Sequence, residues 1–214
     1  YRTFPPKYES KCIEYLKGFE SISVREKSAC KTVAESADKD VENVLDPTLL
    51  LSDLRWLDIA KKPRNLPHRY ILVYMMEGCK YTIEKARALA KDKECDLVLI
   101  NPTLRQRQTC KDFVMYKAAS PEEFVGMFAQ ADAVVTNSFH GVVFSVIFKK
   151  EFYAEISNAE KSARIVDLLA LFDLSDRILP NEINGKPNWE KVNSQLIKEK
   201  NKSISWLKDS LGLN

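Results

Sequence analysis

Short, nearly continuous apolar runs, each followed by an amphipathic stretch, recur along this chain and narrow its possible folds. "SISV", "VENVL", "RYILVYMM", "CDLVLIN", "DAVVTN" and "EFYAEI" read as strands. Runs this short and this apolar suit strands buried on both faces. Between them, "EKSACKTVAESA", "YTIEKARALAKDK", "SPEEFVGMFAQA", "SFHGVVFSVIFKK" and "SARIVDLLALF" read as helices. The opening "KYESKCIEYLKGF" places Cys12, Tyr15, Leu16 and Phe19 on one helical stripe. "LLSDLRWLDIA" predicts a short helix, and the tail a long one, apolar at Trp189, Val192, Leu196, Leu207 and Leu211. Strand and helix in alternation predict an α/β chain: a parallel sheet with helices on both faces.

Local signals fix several boundaries. Asp46-Pro47 is a turn that ends "VENVL", and "KKPRNLPH" is a Pro-rich connector. Ser120 caps a helix with Pro121 at its first position and Glu123 closing a capping box. From Pro102 to about Ser120 the pattern predicts a long loop, with a short strand at "FVMYK" as an option. The connector at 61–68 is a conceivable lobe boundary, but about sixty residues before it make a poor core. One α/β domain is the preferred reading.

Several function classes fall away. With 6 glycines in 214 residues, neither G-x-G-x-x-G nor G-x-x-x-x-G-K-[ST] occurs, so dinucleotide and P-loop signatures are excluded. Five cysteines stand apart, never as C-x-x-C, with two histidines beside them, so no metal is expected and reduced thiols in a cytoplasmic protein are the simplest reading. A net charge of +3 does not imply nucleic acid, and the Arg105, Arg107, Lys111 cluster has no interleaved aromatics. The longest apolar stretches fall short of the ~20 residues a membrane span needs. No signal-peptide pattern opens the chain, and its start at Tyr1 suggests a piece of something longer.

Ligands of an open parallel sheet bind beyond the carboxyl ends of its strands. The residues expected there are Arg25-Glu26, Asp46-Pro47-Thr48, Asn101-Pro102-Thr103, Asn137-Ser138-Phe139-His140-Gly141, and Ser157-Asn158 followed by Lys161, Ser162 and Arg164. This rim is polar and cationic, as an anion site requires. "TNSFHG" runs from an apolar strand directly into an apolar helix. Asn137 or Ser138 is placed to cap that helix, and its free N–H groups favour phosphate or carboxylate. His140, in the first turn, is placed to donate to an anionic oxygen or transfer a proton; the alternative is a partly buried histidine satisfied by a carbonyl. Arg25 has the fork geometry for carboxylate or phosphate, against a salt bridge to Glu26 or another acid. Arg164 reads either as a further anion contact or as an exposed helix-face arginine near Asp167. Asp46 fits a cap or turn better than a base, and Trp56, Trp189 and Trp206 fit core packing, with Trp206 also suited to an interface.

"ISVREKSA", "VLDPTLLL", "ILVY", "SPEEF", "ADAVVTNSFHGVVFSVIFKKEFYA" and "SARIVDLLALFDLSDR" follow one another in this order. From about Ser21 to Arg177 the series closely resembles the polysaccharide pyruvyl transferase family. The resemblance implies a Rossmann-like sheet forming one half of a GT-B glycosyltransferase fold. It implies a linking helix over 1–20 from an absent N-terminal lobe and a Rossmann-like domain over 21–187. A C-terminal helix over 188–214 then packs back on the domain or towards that lobe.

The implied reaction moves a pyruvyl group from phosphoenolpyruvate to two saccharide hydroxyls, forming a pyruvate ketal and phosphate. The acceptor would be a bacterial cell-surface polysaccharide or its lipid-linked precursor, met in the cytoplasm at the inner face of the membrane. No cofactor and no metal are implied; phosphoenolpyruvate is the donor substrate. His140 would be general acid or phosphate partner, and Arg25 the anion clamp. Asn137, Ser138 and Gly141 would build the cradle, with Arg164, Lys161 and Asp46 around it. A nucleotide-sugar glycosyltransferase of the same fold, with Asp46 or Glu77 on a ribose, is the alternative enzyme. An anion-binding fragment, inactive without the other half, is the non-enzymatic one.

Overall fold

The computed structural model describes residues 4–76, 79–157, 162–181 and 185–213. The chain runs α1 (Glu9–Lys17), β1 (Ile22–Val24), α2 (Lys27–Ala37), β2 (Val41–Asn43), a 3-10 turn (Pro47–Leu50) and α3 (Asp53–Ile59). Then come β3 (Tyr70–Tyr74), α4 (Lys80–Lys93), β4 (Asp96–Ile100), α5 (Leu104–Thr109), β5 (Val114–Tyr116) and α6 (Pro121–Gln130). β6 (Ala133–Thr136), α7 (Phe139–Ile147), β7 (Glu151–Glu155), α8 (Ala163–Leu171), β8 (Ile178–Leu179) and α9 (Trp189–Ser210) complete it.

Every strand pairing is parallel. Six strands form one sheet in the order β5-β4-β3-β6-β7-β8. That is the order of a doubly wound Rossmann sheet, with its first strand (β3) beside its fourth (β6). β1 and β2 form a second, two-stranded sheet. The single sheet expected from sequence therefore divides. The cause is visible in burial: β3 and β6 are buried almost throughout, whereas β1 and β2 are short and mostly half-buried.

Alternation along the central strands builds a core on each face. Tyr70, Leu72, Val98, Ile100, Val134 and Phe152 pack with residues of α6, α7, α8 and α9. Ile71, Val73, Leu99, Val135 and Tyr153 face the other way, against α4 and the Cys110–Phe113 turn. Trp56 and Trp189 border the first of these cores.

The expected loop after Pro102 holds α5 and β5 instead. α5 buries only Gln106, so it lacks the apolar stripe that marks a helix, although Thr103 and Gln106 form a capping box. β8 is two residues long and left no periodicity to read. The Ser120–Glu123 capping box of α6 is present as expected.

Candidate functional site

Parallel pairing of β1 with β2 brings the residues that follow each strand to one edge, since Val24 lies opposite Asn43. Arg25 therefore meets Asp46, and its guanidinium donates to the Asp46 carboxylate Oδ2. Asp46 is itself buried. Its Oδ1 accepts the Thr48 N–H at 2.9 Å, capping the 3-10 turn. Burial pushes the Asp46 carboxyl up, but hydrogen bonds from Thr48 and the Arg25 guanidinium outweigh it and hold it below the usual aspartate range. Both oxygens are thus committed within the fold, and the turn-forming reading of Asp46 fits better than a ligand or base.

The β6–α7 junction is the second component. α7 buries every residue from Gly141 to Ile147, so only its first turn reaches a polar environment. Gly141 is needed for this approach: a Cβ there would lie 2.2 Å from Thr136 Oγ1. Thr136 Oγ1 donates to Tyr74 O at 2.6 Å and accepts the Ser138 N–H at 3.0 Å, which fixes the junction. Ser138 occupies the N-cap position, yet no side chain caps the helix. The capping role expected of Asn137 or Ser138 is therefore not realised. Asn137 accepts the Met76 N–H at 2.8 Å and donates to Cys79 Sγ at 2.9 Å, closing the crevice between β3 and β6. The first helical bond is Val142 N–H to Ser138 O, so the amides of Phe139, His140 and Gly141 lack a helical acceptor. An uncapped helix start carries partial positive charge.

Phe139 joins the two components. The Arg25 guanidinium lies 5.9 Å from its ring centroid and that of Arg164 lies 5.3 Å away, both within cation–π range. The His140 ring meets Phe139 edge-on with centroids 5.4 Å apart. Arg164 Nε also reaches Glu26 at 3.2 Å. Arg25, Asp46, Phe139 and Arg164 line one cavity of 390 Å³, a size suited to a small metabolite. His140, in the same first turn of α7, is exposed and does not line this cavity; its link to it is the ring contact with Phe139. Lys161 and Asn158, with the Glu77 of the alternative reading, lie outside the described residues. Phe139 was not singled out from sequence; its place inside "TNSFHG" was the available signal. Among the described residues no group of His, Cys, Asp and Glu is arranged to hold a metal ion, and no helix is long and apolar enough to cross a membrane.

The parallel sheet, its strand order and the helices on both faces define a Rossmann-like fold, resembling one half of a GT-B architecture. Methanocaldococcus jannaschii UDP-GlcNAc 2-epimerase, solved with UDP-GlcNAc and UDP, is similar at a TM-score of 0.52 and 15% identity, over 85% of this chain and 54% of that one. A wall teichoic acid polymerase TagF variant is similar at 0.47 and 12%, over 98% and 62% respectively. For the Thermobaculum terrenum O-GlcNAc transferase the values are 0.43 and 9%, over 91% and 42%. This chain thus spans about half the length of the epimerase it matches. No curated protein sequence matches it. A sequence model of polysaccharide pyruvyl transferases matches residues 1–155, and the chain belongs to that family. The match includes Arg25, Asp46 and His140 and ends before Arg164.

Proposed function

We propose that the protein transfers a pyruvyl group from phosphoenolpyruvate to two hydroxyls of a saccharide, forming a ketal and releasing phosphate. One observation carries this reading: two guanidinium groups converge on Phe139 at the uncapped start of α7. Phosphoenolpyruvate presents a carboxylate and a phosphate on a three-carbon frame, and each anion calls for a fork or an array of amides. Arg25, held by Asp46, clamps one anion. Arg164, or Lys161 in its place, meets the other, and the amides of Phe139, His140 and Gly141 complete the cradle.

The chemistry needs a proton at C3 of the donor as a hydroxyl oxygen attacks C2. His140 supplies it as general acid, a role worth about 10²–10⁴-fold. The first hydroxyl's proton is lost, finally to solvent, as its oxygen bonds to C2; the C2–O bond to phosphate breaks as the second hydroxyl closes the ketal, and the second hydroxyl's proton leaves with the phosphate. No metal and no cofactor take part. The acceptor belongs to a bacterial cell-surface polysaccharide or its lipid-linked precursor. The protein then works in the cytoplasm, at the inner face of the membrane.

The test is calorimetric titration of the full-length protein containing this chain with phosphoenolpyruvate and with UDP-sugars, repeated for Arg25→Ala and His140→Ala. Phosphoenolpyruvate binding that weakens in Arg25→Ala, with turnover lost in His140→Ala, supports the reading. Binding of UDP-sugar without phosphoenolpyruvate makes the protein a glycosyltransferase instead.

A further inference from the structure

We infer that Asp167 receives the proton of the attacking saccharide hydroxyl, which makes its part of the cavity the acceptor subsite. This rests on the pyruvyl-transfer reading and adds a residue to it.

Asp167 lies one turn after Arg164 on α8 and lines the same cavity as Arg25 and Phe139. Among the described residues its Oδ2 is the buried side-chain oxygen or nitrogen left with no hydrogen-bond partner. Native proteins rarely leave such an atom unpaired, because it keeps the desolvation penalty and gains nothing in return. The neighbouring groups do not answer it, the cavity wall's Lys27 included. Arg164, three residues away, is paired with Glu26. Arg25 is paired with Asp46. Glu199, also in the cavity wall, accepts from Gln195 Nε2 at 2.8 Å.

A donor that arrives with a ligand would satisfy it. Phosphoenolpyruvate at neutral pH brings oxyanions, which a carboxylate repels, so Asp167 does not serve the donor substrate. A saccharide brings O–H groups. Asn43 and Glu199 line the cavity with Asp167 and supply further acceptors for a polyhydroxylated ring. The cavity thus combines two chemistries: cations gathered at Phe139 for the donor, and oxygen acceptors for the neutral acceptor.

The first step then balances. The hydroxyl oxygen bonds to C2 while its proton passes to Asp167, and C3 takes a proton from His140. Phosphate departs with the proton of the second hydroxyl. Asp167 returns its proton, and His140 regains one, by exchange with solvent.

The experiment uses the full-length protein with phosphoenolpyruvate and a panel of methyl β-D-galactopyranoside, methyl β-D-glucopyranoside and methyl α-D-mannopyranoside. Saturation-transfer NMR reads saccharide binding, calorimetry reads donor binding, and phosphate release reads turnover over a pH range. In Asp167→Asn, kcat/KM for the saccharide falls about 10²–10⁴-fold and its low-pH limb disappears. Donor affinity is retained or rises as the repelling charge is removed, which also confirms that the variant is folded. Unchanged kcat/KM and pH profile in Asp167→Asn overturn the inference, as does loss of donor affinity or a wild-type protein that binds none of the panel. A wild-type protein that binds a saccharide but leaves phosphoenolpyruvate unconsumed overturns the pyruvyl-transfer reading, and the proton-transfer role with it.

Discussion

Both carboxylate oxygens of Asp46 are engaged, Oδ2 by the Arg25 guanidinium and Oδ1 by the Thr48 amide at 2.9 Å. Arg25 is partly open to solvent, with 37% of its side chain exposed, whereas Asp46 is closed off at 3%. The aspartate is thus a fixed post and the arginine the group it aims. In Asp46→Asn the guanidinium loses its charged partner and its orientation. Phosphoenolpyruvate affinity, read by calorimetry, should fall by about tenfold, equivalent to ~1.4 kcal/mol, while His140-dependent chemistry on bound donor persists.

The same contact sets a pH dependence of stability. The Asp46 carboxyl titrates lower in the folded chain than in the unfolded one, where about 3.9 is usual. Its contribution is therefore complete above the unfolded value and is lost as pH falls through the lower folded value. Urea unfolding followed from pH 7 down to pH 2 should show wild type losing stability faster than Asp46→Asn below about pH 4. Parallel curves would mean that Asp46 is not the group responsible.

The strand–helix junction and the place of Arg25 were legible in advance, and what was not has physical causes. "TNSFHG" announced a strand–helix junction because apolar residues flank a short polar break, and Arg25 stood directly after an apolar run. The sequence offers Arg25 a salt bridge to Glu26 or another acid and Arg164 an exposed helix face near Asp167, yet Arg25 takes Asp46 and Arg164 takes Glu26. Sequence adjacency suggested Arg25 with Glu26, but only the β1–β2 register determines which acid faces which base. Phe139 passed as an ordinary apolar residue because its role depends on cations from two distant segments. Asp167 was visible only as a neighbour of Arg164; being unpaired is a property of the folded environment.

Gly141 has a packing role that can be tested apart from catalysis. A methyl group there meets Thr136 Oγ1 at 2.2 Å and its Cβ at 2.9 Å, so α7 or β6 must move. Overpacking of this kind costs about 1–3 kcal/mol. Gly141→Ala should lower Tm by several degrees, roughly 2–4 °C per kcal/mol for a chain of this size. Adding Thr136→Ala removes the hydroxyl and one methyl, so the double variant should be less destabilised than the two single changes sum to. Strict additivity would rule out the contact as the cause.

Glu155 fills a different helix start at this edge of the sheet. Its carboxylate accepts the Thr82 N–H at 2.6 Å and the Thr82 hydroxyl at 2.8 Å, near the beginning of α4. The arrangement ties β7 to α4 and places an internal anion at the start of that helix. Glu155→Gln should reduce unfolding free energy by about 1–2 kcal/mol, as expected when a charge-assisted contact at a helix start becomes neutral. Donor affinity should not change, because Phe139 and its arginines belong to another junction. A drop in phosphoenolpyruvate binding without a drop in stability would show that the two helix starts share the donor.

Phe139 offers the sharpest separation of shape from electrostatics. Two guanidinium groups lie 5.9 and 5.3 Å from its ring centroid, and each such contact is worth about 0.5–1 kcal/mol where solvent reaches it. Phe139→Leu keeps an apolar side chain but removes the negative ring face on which both cations rest. The expected loss of about 1–2 kcal/mol corresponds to a roughly 5- to 30-fold weaker phosphoenolpyruvate complex. Phe139→Tyr retains the ring face and should bind within about twofold of wild type. Arg164→Lys in the Phe139→Leu background then isolates the second cation: with the platform already gone, that change should cost less than it does in wild type. If Leu binds as well as Tyr, the ring acts only as filler, and the cations are held in place by Asp46 and Glu26 alone.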